Sequence, residues 1–339
     1  MCIGRGGAKA IKGSPSFINS RIREWEKAVK KDRLAPSTRK GYTRAWELWN
    51  NWITMAREEH KYRDLDPRFP TVDILCSFIY FYCIFYQIST VKGYVRRAGT
   101  VSKTKGGLAL ARQEWEIEIN RTYKAAAKAF PQSSRRNRRP LTVQILKKIK
   151  PLLNPTSHND RALWALLSLG VFTLARIGEL VPGSSSKLKV TRKSIEIRGD
   201  HGILRLVGTK TDHERKGVQM HFFRNKTECC PVEAMNAYLT GRTGAPPTSP
   251  LFVDDKGRKM TQAGVVTRVR GLLEKIGLDG KEFSGISLRR GGAQTLLRLG
   301  ATDKVVMGMG RWASSCYKRY LVVEDEDVEK WQFKMASTQ

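Results

Sequence analysis

Acidic side chains are scarce in this chain: 31 Asp and Glu stand against 62 Lys and Arg, a formal charge of +31 over 339 residues. That is far more charge than solubility needs, and the expected partner is a polyanion. Long apolar runs are also missing. The best, "ILCSFIYFYCIFYQI" at 74–88, falls short of the roughly 18–20 residues that a membrane helix needs and reads as a buried core helix. No apolar stretch follows the charges of "MCIGRGGAKAIKG" at the N-terminus, so we expect no secretory signal and an intracellular protein. The six cysteines, Cys2, Cys76, Cys83, Cys229, Cys230 and Cys316, form no C-x-x-C pair and read as reduced packing thiols. The five histidines, His60, His158, His201, His213 and His221, lack ligand spacing as well. Neither a metal centre nor a cofactor is expected.

What is present suffices for about two domains on a prior of about 100–200 residues each, with 40% apolar residues to build their cores. Residues 1–35 are basic and poor in large apolar groups, an arm that can lie along phosphates or simply be solvated. After "APST", where Ser37 or Thr38 can cap, Tyr42, Trp46, Trp49 and Ile53 recur at helical spacing. Further helices are expected at about 73–87, 90–101 and 108–129, so that 36–130 reads as all-helical. "PQSSRRNRRP", 131–140, is a basic linker that either crosses a nucleic-acid backbone or is solvated. Thr142 then opens a new amphipathic helix, and an apolar helix follows at about 160–175. The β-like runs "SIEIRG", "ILRLVGTKT" and "VQMHFFR" predict a small antiparallel sheet. Helices resume at about 231–240, 261–276, 287–299, 302–308 and 313–321, and "DEDVEKWQFKM" reads as a last one. The predicted fold class is mainly α with a small antiparallel β-sheet.

Four stretches carry chemistry. In "TLARIGEL" Arg176 ends an apolar helix and Glu179, three residues on, can orient its guanidinium toward a phosphate or merely pair with it. Lys210 in "LVGTKTDHERKGVQ" falls at the tip of a predicted hairpin, where it can reach a groove or be solvated. "SGISLRRGGAQTLLRLGA" opens a helix with Ser287 as a plausible cap and places Arg289 and Arg290 in its first turn. Cations there oppose the helix dipole, a bound phosphate would relieve this, and the paired glycines imply a close approach. In "GRWASSCYKRY" Tyr317 and Tyr320 share a helical face, and periodicity does not say which is core. Two arginines, a lysine, a tryptophan and a tyrosine can together perform phosphoryl transfer through a covalent intermediate. A phenol with a pKa of about 10 needs cationic surroundings and help with its proton to attack a phosphodiester. The arginines would stabilise the transition state and Lys210 would protonate the departing 5′ oxygen.

This pattern resembles the tyrosine recombinase, or phage integrase, family over nearly the whole chain, most closely its eukaryotic Crypton and DIRS-type transposon branch. The resemblance implies a helical core-binding domain at 36–130 and a catalytic domain at 141–339 that clamp double-stranded DNA. It also implies four protomers assembled on two sites, and neither a metal nor a nucleotide. It puts the first catalytic arginine on Arg176 with Glu179 as its acidic companion, the lysine on Lys210, the second arginine on Arg289, the His-or-Trp position on Trp312 and the nucleophile on Tyr320. Either Arg311 or Trp312 beside it can face the phosphate, and Trp312 is favoured; Arg311, Arg290 and Tyr317 are candidate auxiliary residues. DNA contacts are expected from Arg39, Lys40, Arg44, Arg96, Arg97, Arg135, Arg136, Arg138 and Arg139.

One departure matters. The family pattern reads "HSLRRGGA", and here Ile286 replaces the histidine, removing a proton exchanger and phosphate contact. Either the remaining residues suffice, with His213 or Arg290 recruited, or the chain is a DNA-binding protein that no longer cuts. Trp331 and Phe333 in the tail "VEKWQFKM" are anchors for docking on a neighbour or for packing in cis. "RRNRRP" is a nuclear import signal or a phosphate contact, and location follows the DNA: nuclear in a eukaryote, otherwise cytoplasmic.

Overall fold

Helix α1, Pro36–Ala56, buries Ala45, Leu48, Trp49 and Ile53, the stripe that their spacing puts on one side of a helix. It starts at Pro36, which suits a first helical position because it lacks an N–H. Ser37 and Thr38 therefore lie inside the first turn and do not cap it. The computed structural model describes residues 36–130, 138–183, 190–206, 217–320 and 332, with the backbone alone at 36, 319 and 320. It forms two units, Met1–Ser134 and Arg135–Gln339.

In the first unit α2, Val72–Phe85, is the apolar run. It packs on α4, Glu116–Ala129, while α1 packs on α3, Ile88–Thr104. The aromatic groups in this core keep their polar tips satisfied. Trp49 Nε1 donates to the Pro67 carbonyl at 2.8 Å, and the Tyr82 hydroxyl donates to that of Leu48 at 3.2 Å. The helix expected over 108–129 is shorter, because its first part is drawn into other contacts. The Leu108 N–H bonds to the Arg68 carbonyl at 3.0 Å, Leu110 is fully buried, and a 3₁₀ turn, Gln113–Trp115, precedes α4. Among the described residues no helix is long and apolar enough to cross a membrane.

The second unit is built around α6, His158–Phe172, buried on most sides. It packs against α8, Pro231–Thr240, and α10, Ser287–Arg298. Side-chain oxygens cap three helices. Thr142 accepts from the Ile145 N–H at the start of α5, Val143–Ile149. Ser157 does the same for α6 with Asp160, and Thr261 for α9, Gln262–Lys275, with Gly264. The strands β1, Ile195–Arg198, β2, His201–Leu206, and β3, Val218–Phe223, form one antiparallel sheet in the order β1-β2-β3. Ile195 pairs with Leu204, and Leu204 with Met220. All three side chains are buried, so this face covers the core while His201, Ile203, Arg205, His221 and Phe223 lie on the other. The fold is thus mainly helical with a small antiparallel sheet.

Two local expectations need correction. Ser287 does not cap α10; Ile286 holds that place, and the Ser287 Oγ accepts from the Ser284 N–H at 2.9 Å. The segment expected as a helix at 313–321 is a 3₁₀ turn, Ser315–Tyr320, tightened where Tyr317 packs on Trp312 with ring centroids 5.6 Å apart. The helix expected from "DEDVEKWQFKM" falls almost wholly outside the described residues.

Candidate active site

The chain leaves α6 through Leu174, which adopts a left-handed conformation with φ of 49°, and Arg176 opens the single turn α7, Ile177–Leu180. Glu179 sits at the third position of that turn, where a carboxylate can reach back to free N–H groups. Its Oε2 accepts from the Arg176 backbone N–H at 2.9 Å and its Oε1 from Arg176 Nη1 at 2.9 Å. The helix that Arg176 was expected to end is therefore separate from the one it begins.

Glu179 is only 3% exposed and takes a second cation, Arg311 Nη2, on Oε2 at 2.9 Å. Burial alone would push its carboxyl up, but the Arg311 charge and the Arg176 hydrogen bonds outweigh burial and hold it below the usual carboxylate value. Arg311 is shifted down from the ordinary arginine value by burial first and by the like charge of Arg176, with Glu179 opposing. Arg311 ends α11, Asp303–Gly310, in a left-handed conformation with φ of 55°. Its Nη1 contacts the Met220 sulfur, which ties β3 to this cluster.

Arg289 approaches from the other side. It is fully buried, donates through Nη1 to the Leu174 carbonyl at 2.7 Å, and reaches the Gly310 carbonyl through Nη2. Its guanidinium lies 4.2 Å from the centroid of the Trp312 ring, a cation–π contact in a desolvated place. The paired glycines allow this approach. A Cβ on Gly291 would lie 1.8 Å from the Leu141 carbonyl oxygen, and one on Gly292 2.4 Å from that of Val171. The cation at a helix N-terminus is thus met by main-chain carbonyls, an answer that sequence reasoning did not supply.

Trp312 and Tyr317 are buried together with Leu174, Ala293 and Val306. The Asp303 carboxylate beside the Tyr317 hydroxyl pushes its pKa up to about 12, so Tyr317 is a packed phenol that resists ionisation. Lys318 Nζ pairs with Asp303 at 3.1 Å. Tyr320 ends the 3₁₀ turn, and its side chain lies outside what the structure describes, as do Lys210 and His213. Ile286 is half-buried where α10 begins, and Arg290 is buried.

Arg176, Glu179, Arg289, Arg311, Trp312 and Tyr317 are therefore brought together. A cluster of cations around one carboxylate and buried main-chain carbonyls, with Arg176 half-buried at its edge, can hold an anion's oxygens and stabilise charge that develops on them. Sequence reading missed the Leu174 carbonyl and the Arg311–Glu179 pair. The only signal was Arg311 itself, next to the residue favoured over it. Among the described residues no group of three or more His, Cys, Asp or Glu side chains gathers to hold a metal ion.

The basic residues named as DNA contacts divide. Arg39, Lys40 and Arg44 on α1 and Arg96 on α3 are exposed, and Arg97 is half-buried over Gly41 and Gly93. Arg138 and Arg139 are engaged within their own unit. Arg138 Nη1 donates to the Lys281 carbonyl at 2.5 Å and Arg139 Nη1 to Glu282 Oε2 at 3.3 Å. Arg135 and Arg136 lie outside the described residues.

A comparison with curated proteins by sequence finds no match. Solved structures do match. The XerH site-specific recombinase bound to a palindromic difH substrate, in a post-cleavage complex, superposes with a TM-score of 0.61 at 15% identity over 92% of this chain and 84% of that one. The Tn1549 transposon integrase with transposon right end DNA gives 0.58 at 13% over 92% and 98%. A lambda integrase dimer on a COC′ core site gives 0.53 at 14% over 91% and 99%. At such identities these likenesses concern the fold. The phage integrase family model matches residues 141–326, more than half of the chain and the segment holding every group gathered around Leu174, so this chain belongs to the phage integrase family.

Proposed function

We propose that this chain breaks and rejoins double-stranded DNA through a 3′-phosphotyrosine intermediate, in the recombination, integration or transposition of a mobile element. The observation that carries the reading is the gathering of Arg176, Glu179, Arg289 and Arg311 around the Leu174 turn, with the 3₁₀ segment that ends in Tyr320 following directly. In the reaction the Tyr320 oxygen attacks the scissile phosphorus, the bond to the 5′ oxygen breaks, and Lys210 gives that oxygen its proton. A 5′ hydroxyl then attacks the phosphotyrosine, re-forming the phosphodiester and freeing the phenol. Arg176 and Arg289 bear on the non-bridging oxygens, Glu179 orients Arg176, and Trp312 backs Arg289. The scheme uses neither metal nor nucleotide.

DNA is the polyanion that the +31 charge calls for; XerH, the Tn1549 integrase and the lambda integrase are each seen on DNA. Four protomers on two DNA sites, with Trp331 and Phe333 docking on a neighbour or packing in cis, complete the proposal. The spacing of "GRW" and "RY" supports the transposon branch, and in a eukaryotic host the protein would act in the nucleus.

Ile286 supports a second reading, a DNA-binding protein of the same fold that no longer cuts. An apolar group stands where α10 opens, and the Arg289 guanidinium already rests on two carbonyls. A suicide duplex carrying the element's terminal sequences separates the two. A covalent adduct on a denaturing gel that survives in Tyr317→Phe and vanishes in Tyr320→Phe supports cleavage. Sequence-specific binding with no adduct supports the second reading, and an adduct gained in Ile286→His names its cause.

A further inference from the structure

The outer face of the sheet holds a pair of histidines that no sequence spacing announces. His201 pairs across the ladder with Phe223, and His221 with Ile203, so the two imidazoles are diagonal neighbours on adjacent antiparallel strands. His201 Nε2 and His221 Nδ1 face each other at 2.9 Å, with the rings only 14° from parallel. Phe223 stacks on His201 with centroids 4.6 Å apart and planes 7° apart. His221 is exposed and His201 half-buried, so the space around the facing nitrogens is open to solvent.

We infer that His201 and His221 form a two-imidazole clip for a divalent ion of the Zn²⁺, Ni²⁺ and Cu²⁺ class. Bonds of about 2.0–2.1 Å from imidazole nitrogens to such ions put neighbouring donors roughly 3 Å apart, close to the spacing that the ladder already imposes. Binding needs both facing nitrogens to present lone pairs. The two ring protons then reside on His201 Nδ1 and His221 Nε2, and a small rotation of each ring turns the lone pairs onto one ion. The nearby carboxylates are occupied: Asp200 pairs with Arg224, and Glu196 with Arg198 and Arg205. The donor set is therefore two nitrogens completed by water, which favours imidazole-seeking ions over Mg²⁺ or Ca²⁺. The clip joins β2 to β3 at the end of the ladder away from the 207–217 connection. It therefore secures the hairpin without touching the groups around Leu174, and it does not depend on the function proposed above.

The test is calorimetric titration of the full chain with NiCl₂ near neutral pH, with MgCl₂ as comparison. The expected result is one Ni²⁺ per chain at micromolar affinity, no heat from Mg²⁺, and a thermal midpoint raised by the bound ion. His201→Asn and His221→Asn should each weaken binding by about tenfold or more. His60→Asn should change nothing. Circular dichroism of the Asn variants, and His221→Gln as a second substitution, guard against misfolding. Absence of Ni²⁺ binding by the wild type, or wild-type affinity in either folded Asn variant, overturns the clip.

Discussion

Arg289 and Arg311 donate to the same main-chain oxygen, the Leu174 carbonyl, at 2.7 Å and 3.5 Å. Two guanidinium groups meeting at one acceptor would repel each other without a countercharge, and Glu179 provides it to Arg311. The cations of α10, α11 and α7 are thus one electrostatic unit with a single buried carboxylate at its centre.

Glu179→Gln should destabilise the protein at neutral pH by about 3–5 kcal/mol, the cost of breaking a buried ion pair from one side. Because the folded carboxyl is held below its ordinary value of 4.5, its contribution is complete above that value and lost as pH falls through the lower folded value. The stability gap between wild type and variant, measured by urea unfolding, should accordingly be constant above about pH 5 and narrow below about 4.5.

Trp312→Ala should cost about 3–5 kcal/mol, since it empties the space between Arg289 and Tyr317. Trp312→Phe should cost less, and Tyr317→Phe only about 1 kcal/mol. Chemical denaturation of the three variants checks the order. A Tyr317→Phe protein as unstable as Trp312→Ala would contradict the packing described.

Two glycines on neighbouring helices should respond in opposite directions. Gly291→Ala drives a methyl into the Leu141 carbonyl and should cost well over about 1–3 kcal/mol, the usual price of overpacking. Gly308, exposed in α11 with nothing within 4 Å of an added Cβ, should accept Ala with a gain of up to about 1 kcal/mol. Thermal unfolding reads both.

In the first unit, Arg44→Ala and Arg96→Ala should weaken DNA binding without altering the unfolding midpoint. Each should lower the slope of log affinity against log salt by about 1 if it removes one phosphate contact. Arg138→Ala, whose guanidinium already bonds within its own unit, should change the slope less. Fluorescence anisotropy at several salt concentrations measures this.

The helices and strands were legible because their apolar periods are strong and some starts are marked, as at Thr142. The boundaries failed where a distant contact intervened: Leu110 is drawn into the core and shortens α4, and Ile286 displaces Ser287 at the head of α10. Around the site, the pairing of Arg176 with Glu179 could be read from their spacing. The burial of Arg289 on carbonyls could not, since its acceptors belong to Leu174 and Gly310, far from it in sequence. Nor could the His201–His221 pair, whose members are brought together only by strand register.

The left-handed turn at Leu174 carries a lesson for anyone mapping this protein by substitution. What it offers the two arginines is a peptide oxygen, which every amino acid possesses, so replacing the leucine with alanine leaves that acceptor in place and reports only on the lost side chain. Exposing its part would require altering the backbone itself, for example by ester-for-amide exchange at the bond between residues 174 and 175, which weakens the oxygen as an acceptor while keeping every side chain intact.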